Sequence, residues 1–374
     1  MTKAVYIGVS GKARKVKKGY IGVSGKARKI KKGYIGVGGV ARPFWSGGEL
    51  AYYGTAANLS TERYNLAGAT TGTYALFAGG RTSGYSNVVD AYNTSLTHSG
   101  TTLGSSIANL AGASISNNAL FAGGSRRSGY TNLVYAFDAS IVRTTATSLS
   151  VARANLAGAS VGNYVLFAGG SMRRNVSNAV DAYNSSLTHS TASVLTKNVQ
   201  HLAGTSIGNY ALFAGGNDGG ACLVNVNAYN SSLTKSVATS LTTGVSYHAG
   251  THVGNYALFA GGEITEPDSG VYTNIVNGYD TSLTKVGSMV HLSLERMSLS
   301  GGFVEGYALF AGGLGSSASN YVDVYDTSLT HTNSNYLNDS RYDLAGAHVG
   351  NYILFAGGRN SSSTRIPTVD VYTV

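Results

Sequence analysis

Short apolar runs and polar turns alternate through most of the chain, always in the same order. One occurrence shows the unit. Asn155-Leu-Ala-Gly-Ala-Ser-Val leads to a turn at Gly162-Asn163. Tyr164-Val-Leu-Phe-Ala then leads to Gly169-Gly170. After a variable stretch, Ala179-Val-Asp-Ala-Tyr183 leads to a turn at Asn184-Ser-Ser and a last piece from Leu187. Each piece is short, rich in β-branched or aromatic residues, and bounded by Gly, Asn or Ser, which predicts a strand. Gly-Asn suits a tight hairpin because both residues tolerate positive φ. No long apolar run keeps a 3.6-residue period, so no helix is predicted.

The unit recurs seven times, its double glycine ending at Gly80, Gly124, Gly170, Gly216, Gly262, Gly313 and Gly358. The last copy stops at Val369-Asp-Val-Tyr-Thr-Val374, its third strand. The missing fourth strand is present at the other end. Leu50-Ala-Tyr-Tyr-Gly54 precedes Tyr64-Asn-Leu-Ala-Gly68 as Leu329-Thr-His-Thr-Asn333 precedes Tyr342-Asp-Leu-Ala-Gly346. Four short strands in each of seven units predict an all-β fold: a seven-bladed β-propeller over residues 48–374, closed by that N-terminal strand. Closure removes the free sheet edges that invite aggregation.

Four apolar residues before Gly-Gly, with Tyr-Asp or Tyr-Asn downstream, resemble the kelch motif across about residues 49–374. The chain departs from that pattern because its one Trp, Trp45, lies outside the repeats. The Leu of Ser-Leu-Thr (Leu96, Leu187, Leu233, Leu283, Leu329) is the candidate for that packing role. The Arg that resembles the kelch Arg before the next blade survives as Arg63, Arg153, Arg296 and Arg341. A kelch-like fold alone implies no particular function.

Charge divides the chain in two. Residues 1–48 hold 12 of the 27 Lys and Arg and no acid, whereas the remainder holds 15 basic and 17 acidic residues. The basic segment has its own 14-residue repeat: Tyr6-Ile-Gly-Val-Ser-Gly-Lys-Ala-Arg-Lys-Val-Lys-Lys-Gly19 recurs at 20–33 and, altered, at 34–47. Each copy reads as a small hairpin too poor in apolar residues to stand alone. The third copy exchanges cations for Val40, Pro43 and Trp45, as expected of a transition repeat. Residues 1–47 therefore read as an arm that docks on an acidic protein surface or on sister chains. Lys12, Arg14, Lys15, Lys26, Arg28, Lys29 and Trp45 are the candidate attachment residues. These tandem hairpins resemble those of putative tail or tail-fibre proteins of phages and prophages of Gram-positive bacteria. That resemblance implies a virion location, other tail or baseplate proteins as partners, and an outward-facing head. Nucleic acid is the weaker expectation for the arm: it has the charge, but the strict repeat favours a built structure.

No secretory apolar stretch and no membrane-spanning run is present, so synthesis in a bacterial cytoplasm and no membrane insertion are expected. The single cysteine, Cys222, excludes an internal disulfide.

Candidate chemistry is sparse. His98, His189 and His331 share one repeat position, and His252 and His348 share another; both sets read as exposed strand or turn residues, kept apart by lying in separate blades. No metal-ligand spacing, phosphate loop or sialidase-type Asp box occurs, and a copper oxidase would need more than Cys222. The expectation is a non-enzymatic protein without cofactor. The stronger signal is that the turns between strands one and two and between three and four are nearly constant, whereas the loops between strands two and three differ in every blade. Loops on a rigid scaffold are where binding usually sits. The candidate ligand-binding residues are Arg126, Arg127, Tyr130, Arg173, Arg174, Glu263, Asp268, Tyr272 and Arg359, facing a host-surface glycan or protein. A purely structural decoration protein is the alternative.

Overall fold

The computed structural model describes residues 49–265 and 269–374, together with the backbone of six strands between Tyr6 and Trp45. Every described element is a strand, and the propeller blades stand in chain order around one axis. The seven inner strands are Ala67–Thr70, Ala111–Ile115, Ala157–Val161, Ala203–Ile207, Ala249–Val253, Ser300–Val304 and Ala345–Val349. The second strands, such as Tyr164–Ala168, are buried almost end to end, because each faces a neighbouring blade on both sides. This is why they read as continuous apolar runs rather than alternating ones. The apolar clusters accordingly lie between blades. One joins Leu166 and Ala182 of the third blade to Phe213 and Tyr229 of the fourth, and another joins Val369 and Val371 of the last to Phe77 and Tyr92 of the first.

The ring closes as the sequence predicts. Ala51–Thr55 is the outer strand of the seventh blade, pairing antiparallel with Val369–Thr373. The fifth blade departs from the expected four strands. Its outer strand shrinks to a single bridge between Tyr279 and Lys285. There Gly278 stands where other blades carry Ala or Val, and Met289 fills the space: a Cβ on Gly278 would lie 2.6 Å from its sulfur.

Blade spacing at the axis is set by glycine. A Cβ on Gly158 would lie 2.6 Å from the carbonyl oxygen of Gly112 on the preceding blade, and the equivalent inner-strand glycines repeat this contact around the circle. In six blades the third strand carries a buried tyrosine (Tyr92, Tyr183, Tyr229, Tyr279, Tyr325 or Tyr372) whose hydroxyl donates to a carbonyl of the segment leading into the blade, as Tyr183 does to Thr147 at 2.8 Å; the second blade has Phe137 there. Leu96, Leu187, Leu233, Leu283 and Leu329 sit at turns with φ of 60–63° and pack on the rims of the interblade clusters.

In the arm, Tyr6–Val9 pairs with Lys12–Lys15, Gly19–Val23 with Lys26–Ile30, and Gly33–Val37 with Val40–Trp45, each antiparallel. The third pair slips register between Gly33 and Tyr34. The side chains of Lys12, Arg14, Lys15, Lys26, Arg28, Lys29 and Trp45 lie outside the described residues.

Candidate functional site: the loop face and the axial channel

The variable loops and the crossings between blades share one face. The residue after each double glycine bridges back to the crossing, as in Ala108 with Ser125, Ala154 with Ser171 and Tyr342 with Arg359. At the centre of this face, one residue per blade forms a closed circle of backbone hydrogen bonds. Asn109 N–H donates to Asn65 O, Asn155 to Asn109, His201 to Asn155, Tyr247 to His201, Ser298 to Tyr247, Asp343 to Ser298 and Asn65 to Asp343, all at 2.9–3.1 Å. All seven residues are left-handed, with φ of 52–56°. Asn, Asp and His enter that region more readily than other side chains, and they fill five of the seven positions. The circle rims a cavity of about 220 Å³. Asn155 Nδ2 donates to Ser171 Oγ at 3.0 Å, tying the rim to the loops.

The eight loop candidates among the described residues differ in placement. Arg126 and Tyr130 belong to a short hairpin in which Ser125–Arg126 pairs with Gly129–Tyr130; Arg127 and Tyr130 are exposed, and Arg126 is half-buried. Arg173 and Arg174 are exposed on the adjacent blade. Tyr272 lines a groove of about 590 Å³ between the fifth and sixth blades, opposite Ser316, Asn320 and Tyr321. The other two are engaged within the ring. Glu263 is buried and its carboxylate accepts from Gly270 N–H at 2.9 Å. Arg359 is held by Asp343 at 2.9 Å and lies over the rings of Tyr64 and Tyr342 at 4.4 and 4.7 Å. Asp268 lies outside the described residues.

The histidines are not the exposed strand and turn residues expected. His98, His189 and His331 are half-buried, each with Nε2 2.7 Å from a buried aspartate: Asp90, Asp181 and Asp323. The other aspartate oxygen meets a fully buried guanidinium, Arg63, Arg153 or Arg296, at 2.6–2.7 Å. Burial by itself would raise the Asp181 carboxyl, but Arg153, His189 and the Ser150 N–H outweigh it and hold it below the usual carboxylate range. In the seventh blade Arg341 and Asp370 form the same pair, with the Tyr52 hydroxyl in the histidine's place. The Ser150 hydroxyl also donates to Asp181, at 3.1 Å, and Arg153 donates an N–H to the Phe167 carbonyl at 3.0 Å. They fasten each blade's crossing to its sheet.

His252 and His348, read from the sequence as separated, come together. Inner strands converge at the axis, so equivalent positions there are neighbours. Phe303 stands between them, its ring centroid 4.0 Å from His252 and 4.3 Å from His348. The signal available in the sequence was the neighbouring phenylalanine at the same repeat position.

Among the described residues no group of three or more His, Cys, Asp or Glu is placed to hold a metal ion. No protein-family model matches the chain, and no curated protein matches it.

Proposed function

We propose that the protein is a non-enzymatic binding component of a phage tail, with a kelch-like propeller head and an N-terminal arm that attaches it to the particle. The carrying observation is the division of the ring into two faces. One is made of near-identical hairpin turns. The other presents unlike loops with exposed Arg127, Tyr130, Arg173 and Arg174 and a groove beside Tyr272. Arg and Tyr are the residue types favoured at the centres of interfaces. A host-surface glycan or protein is the ligand class this face suits. The tail setting rests on the arm's resemblance to tail and tail-fibre hairpin repeats.

Binding of the full-length protein to host cells, and to arrays of bacterial surface glycans, tests the head. The R126A/R127A/R173A/R174A variant should lose at least about tenfold in affinity, as loss of hot-spot arginines does, with its melting temperature unchanged. Equal binding by this variant and by Tyr272→Ala would remove the loop face from the proposal, and the absence of any host binding would leave a decoration role. Deleting residues 1–47 should yield a folded ring that no longer enters particles; unchanged incorporation would sink the attachment role.

A further inference from the structure

The inner strands contain one repeat position whose residue type changes once around the ring. In the first four blades it holds a hydroxyl: Thr70, Ser114, Ser160 and Ser206. In the last three it holds a ring: His252, Phe303 and His348. All seven line a cavity of about 340 Å³ in the axial channel, at the end away from the variable loops. The channel is therefore two-sided, with hydroxyls on one wall and a contiguous aromatic surface on the other. The aromatic wall has been accommodated by its surroundings. Ile353 stands where other blades carry Ala or Val, and Gly302 leaves room for it, since a Cβ on Gly302 would lie 2.6 Å from the Ile353 side chain. On the hydroxyl wall, Thr70 and Ser160 donate their hydroxyls to the Tyr74 and Ser114 carbonyls, whereas Ser114 Oγ accepts from Thr70 N–H at 2.8 Å and Ser206 Oγ from Ser160 N–H at 2.9 Å, which leaves the O–H of Ser114 and Ser206 as the donors for a ligand.

We infer that this mouth of the channel is a binding site for a neutral pyranose, the ring stacking its apolar C–H face on Phe303 and the histidines while its hydroxyls meet the serine and threonine wall. Sites for small ligands combine an apolar or aromatic lining with a few placed polar groups, in cavities of roughly 300–1,000 Å³. No Asp, Glu, Lys or Arg lines this one. Burial holds His252 down to about 4 and His348 below its usual value, so the imidazoles are neutral near pH 7. A charged sugar would find no counter-charge. The site lies outside the variable loops and is independent of the reading given for them.

Saturation-transfer NMR on the full chain, with D-glucose, D-galactose, D-mannose and N-acetyl-D-glucosamine as probes, tests the assignment. At least one should bind saturably, with Kd of order millimolar. Phe303→Leu keeps apolar bulk but removes the aromatic face, and should weaken that binding about tenfold. Phe303→Ser should do so more strongly, and R126A/R127A/R173A/R174A should leave it unchanged. D-glucuronate and D-glucosamine should bind at least about tenfold more weakly than their neutral parent. Comparing the free sugar with its methyl glycoside and a disaccharide separates two sources. Retained affinity identifies the end of a glycan chain, and loss identifies a free monosaccharide. No saturable binding by any neutral probe, binding insensitive to Phe303→Leu, or equal binding of the charged sugars would each overturn the assignment.

Discussion

Blades one, three, six and seven solve the same problem differently from blades two, four and five. In the first set the crossing enters the blade through a fully buried arginine, and the third strand answers with a buried aspartate: Arg63 with Asp90, Arg153 with Asp181, Arg296 with Asp323, Arg341 with Asp370. In the second set the arginine position holds Ile107, Val199 or Val245, and the aspartate position holds Tyr135, Asn227 or Asn277. The fourth strand follows suit. It carries His or Tyr opposite an aspartate, and Arg143, Lys235 or Lys285 where none exists. Those cations turn outward to carbonyls of the preceding crossing, Arg143 to Thr102 at 3.0 Å and Lys235 to Val194 at 2.8 Å. No blade has a buried arginine without its aspartate, or the reverse. The three positions behave as one choice, ionic or neutral. An ion pair taken out of water is retained only as a complete set, because a lone buried charge is far more costly than either full solution.

The largest effect is expected from breaking a set. Arg153→Val leaves Asp181 buried with only His189 and Ser150 as partners, and should cost about 3–5 kcal/mol, read as a lowered denaturant midpoint. A cost within about 0.5 kcal/mol, the range of ordinary surface changes, would show the pair to be dispensable. The same sets make stability acid-sensitive. Asp90, Asp181 and Asp323 are held below the ordinary carboxylate range by their arginines against the opposing effect of burial. A depressed carboxyl stabilises the fold above its unfolded value of about 3.9 and loses that contribution as pH falls through the folded value. Acid unfolding should therefore begin below about pH 4 in these blades, and Arg153→Val should lose the share of that dependence that Asp181 contributes.

A smaller effect is expected at a second exception to the repeat. Six blades place leucine after the left-handed rim residue, whereas the fifth places His248 there. It is 7% exposed, and burial pushes its imidazole down to about 4. The unfolded chain protonates near pH 6.5 and the folded chain only near 4, so stability from this residue is full above about 6.5 and declines as pH falls toward 4. His248→Leu should remove that decline, gaining about 2 kcal/mol over the parent at pH 5 and much less at pH 7. Parallel pH–stability curves for the two proteins would disprove it.

These exceptions mark where sequence reading stops. The seven units, the all-β class and closure by the strand at Ala51–Thr55 were legible, because strand chemistry and repeat length are local properties of the chain. The left-handed rim was not, since no rule ties Tyr247 or Ser298 to positive φ; only the backbone circle imposes it. The histidine roles were misjudged for opposite reasons. His189 reaches Asp181 through pairing of Asp181 with Thr191 two residues beyond it, which needs the strand register. His252 and His348 meet because blades crowd together at the axis, which needs the ring. The blades themselves held the missing information, as arginine and aspartate come and go together among seven internal copies, with histidine, or Tyr52 in the seventh blade, beside them. The loop candidates show the other limit. Composition picked Glu263 alongside Arg127, and only the fold separates the buried carboxylate from the exposed guanidinium.

The smallest effect should come from the largest change in chemistry. Converting the third blade to the fourth blade's choice takes three substitutions, Arg153→Val, Asp181→Asn and His189→Lys, which reproduce Val199, Asn227 and Lys235. Asn227 Oδ1 accepts from Thr196 N–H at 3.1 Å and from its hydroxyl at 2.6 Å. Ser150 holds the same place before Asp181, donating its N–H at 2.8 Å and its hydroxyl at 3.1 Å, so an asparagine at 181 finds its donors ready. The new lysine would meet crossing carbonyls as Lys235 does. Replacing a complete buried ion pair by neutral groups of suitable shape is often near neutral, so the triple variant should lie within about 1 kcal/mol of the parent while each single substitution at 153 or 181 costs several times more. A double-mutant cycle on positions 153 and 181 would then give a coupling of about 5 kcal/mol or more, because two single costs of about 3–5 kcal/mol each collapse to about 1 in combination. If the triple variant is as unstable as Arg153→Val alone, the two kinds of blade are not interchangeable, and each ionic set is fixed by its own neighbours rather than by a choice the repeat can make either way.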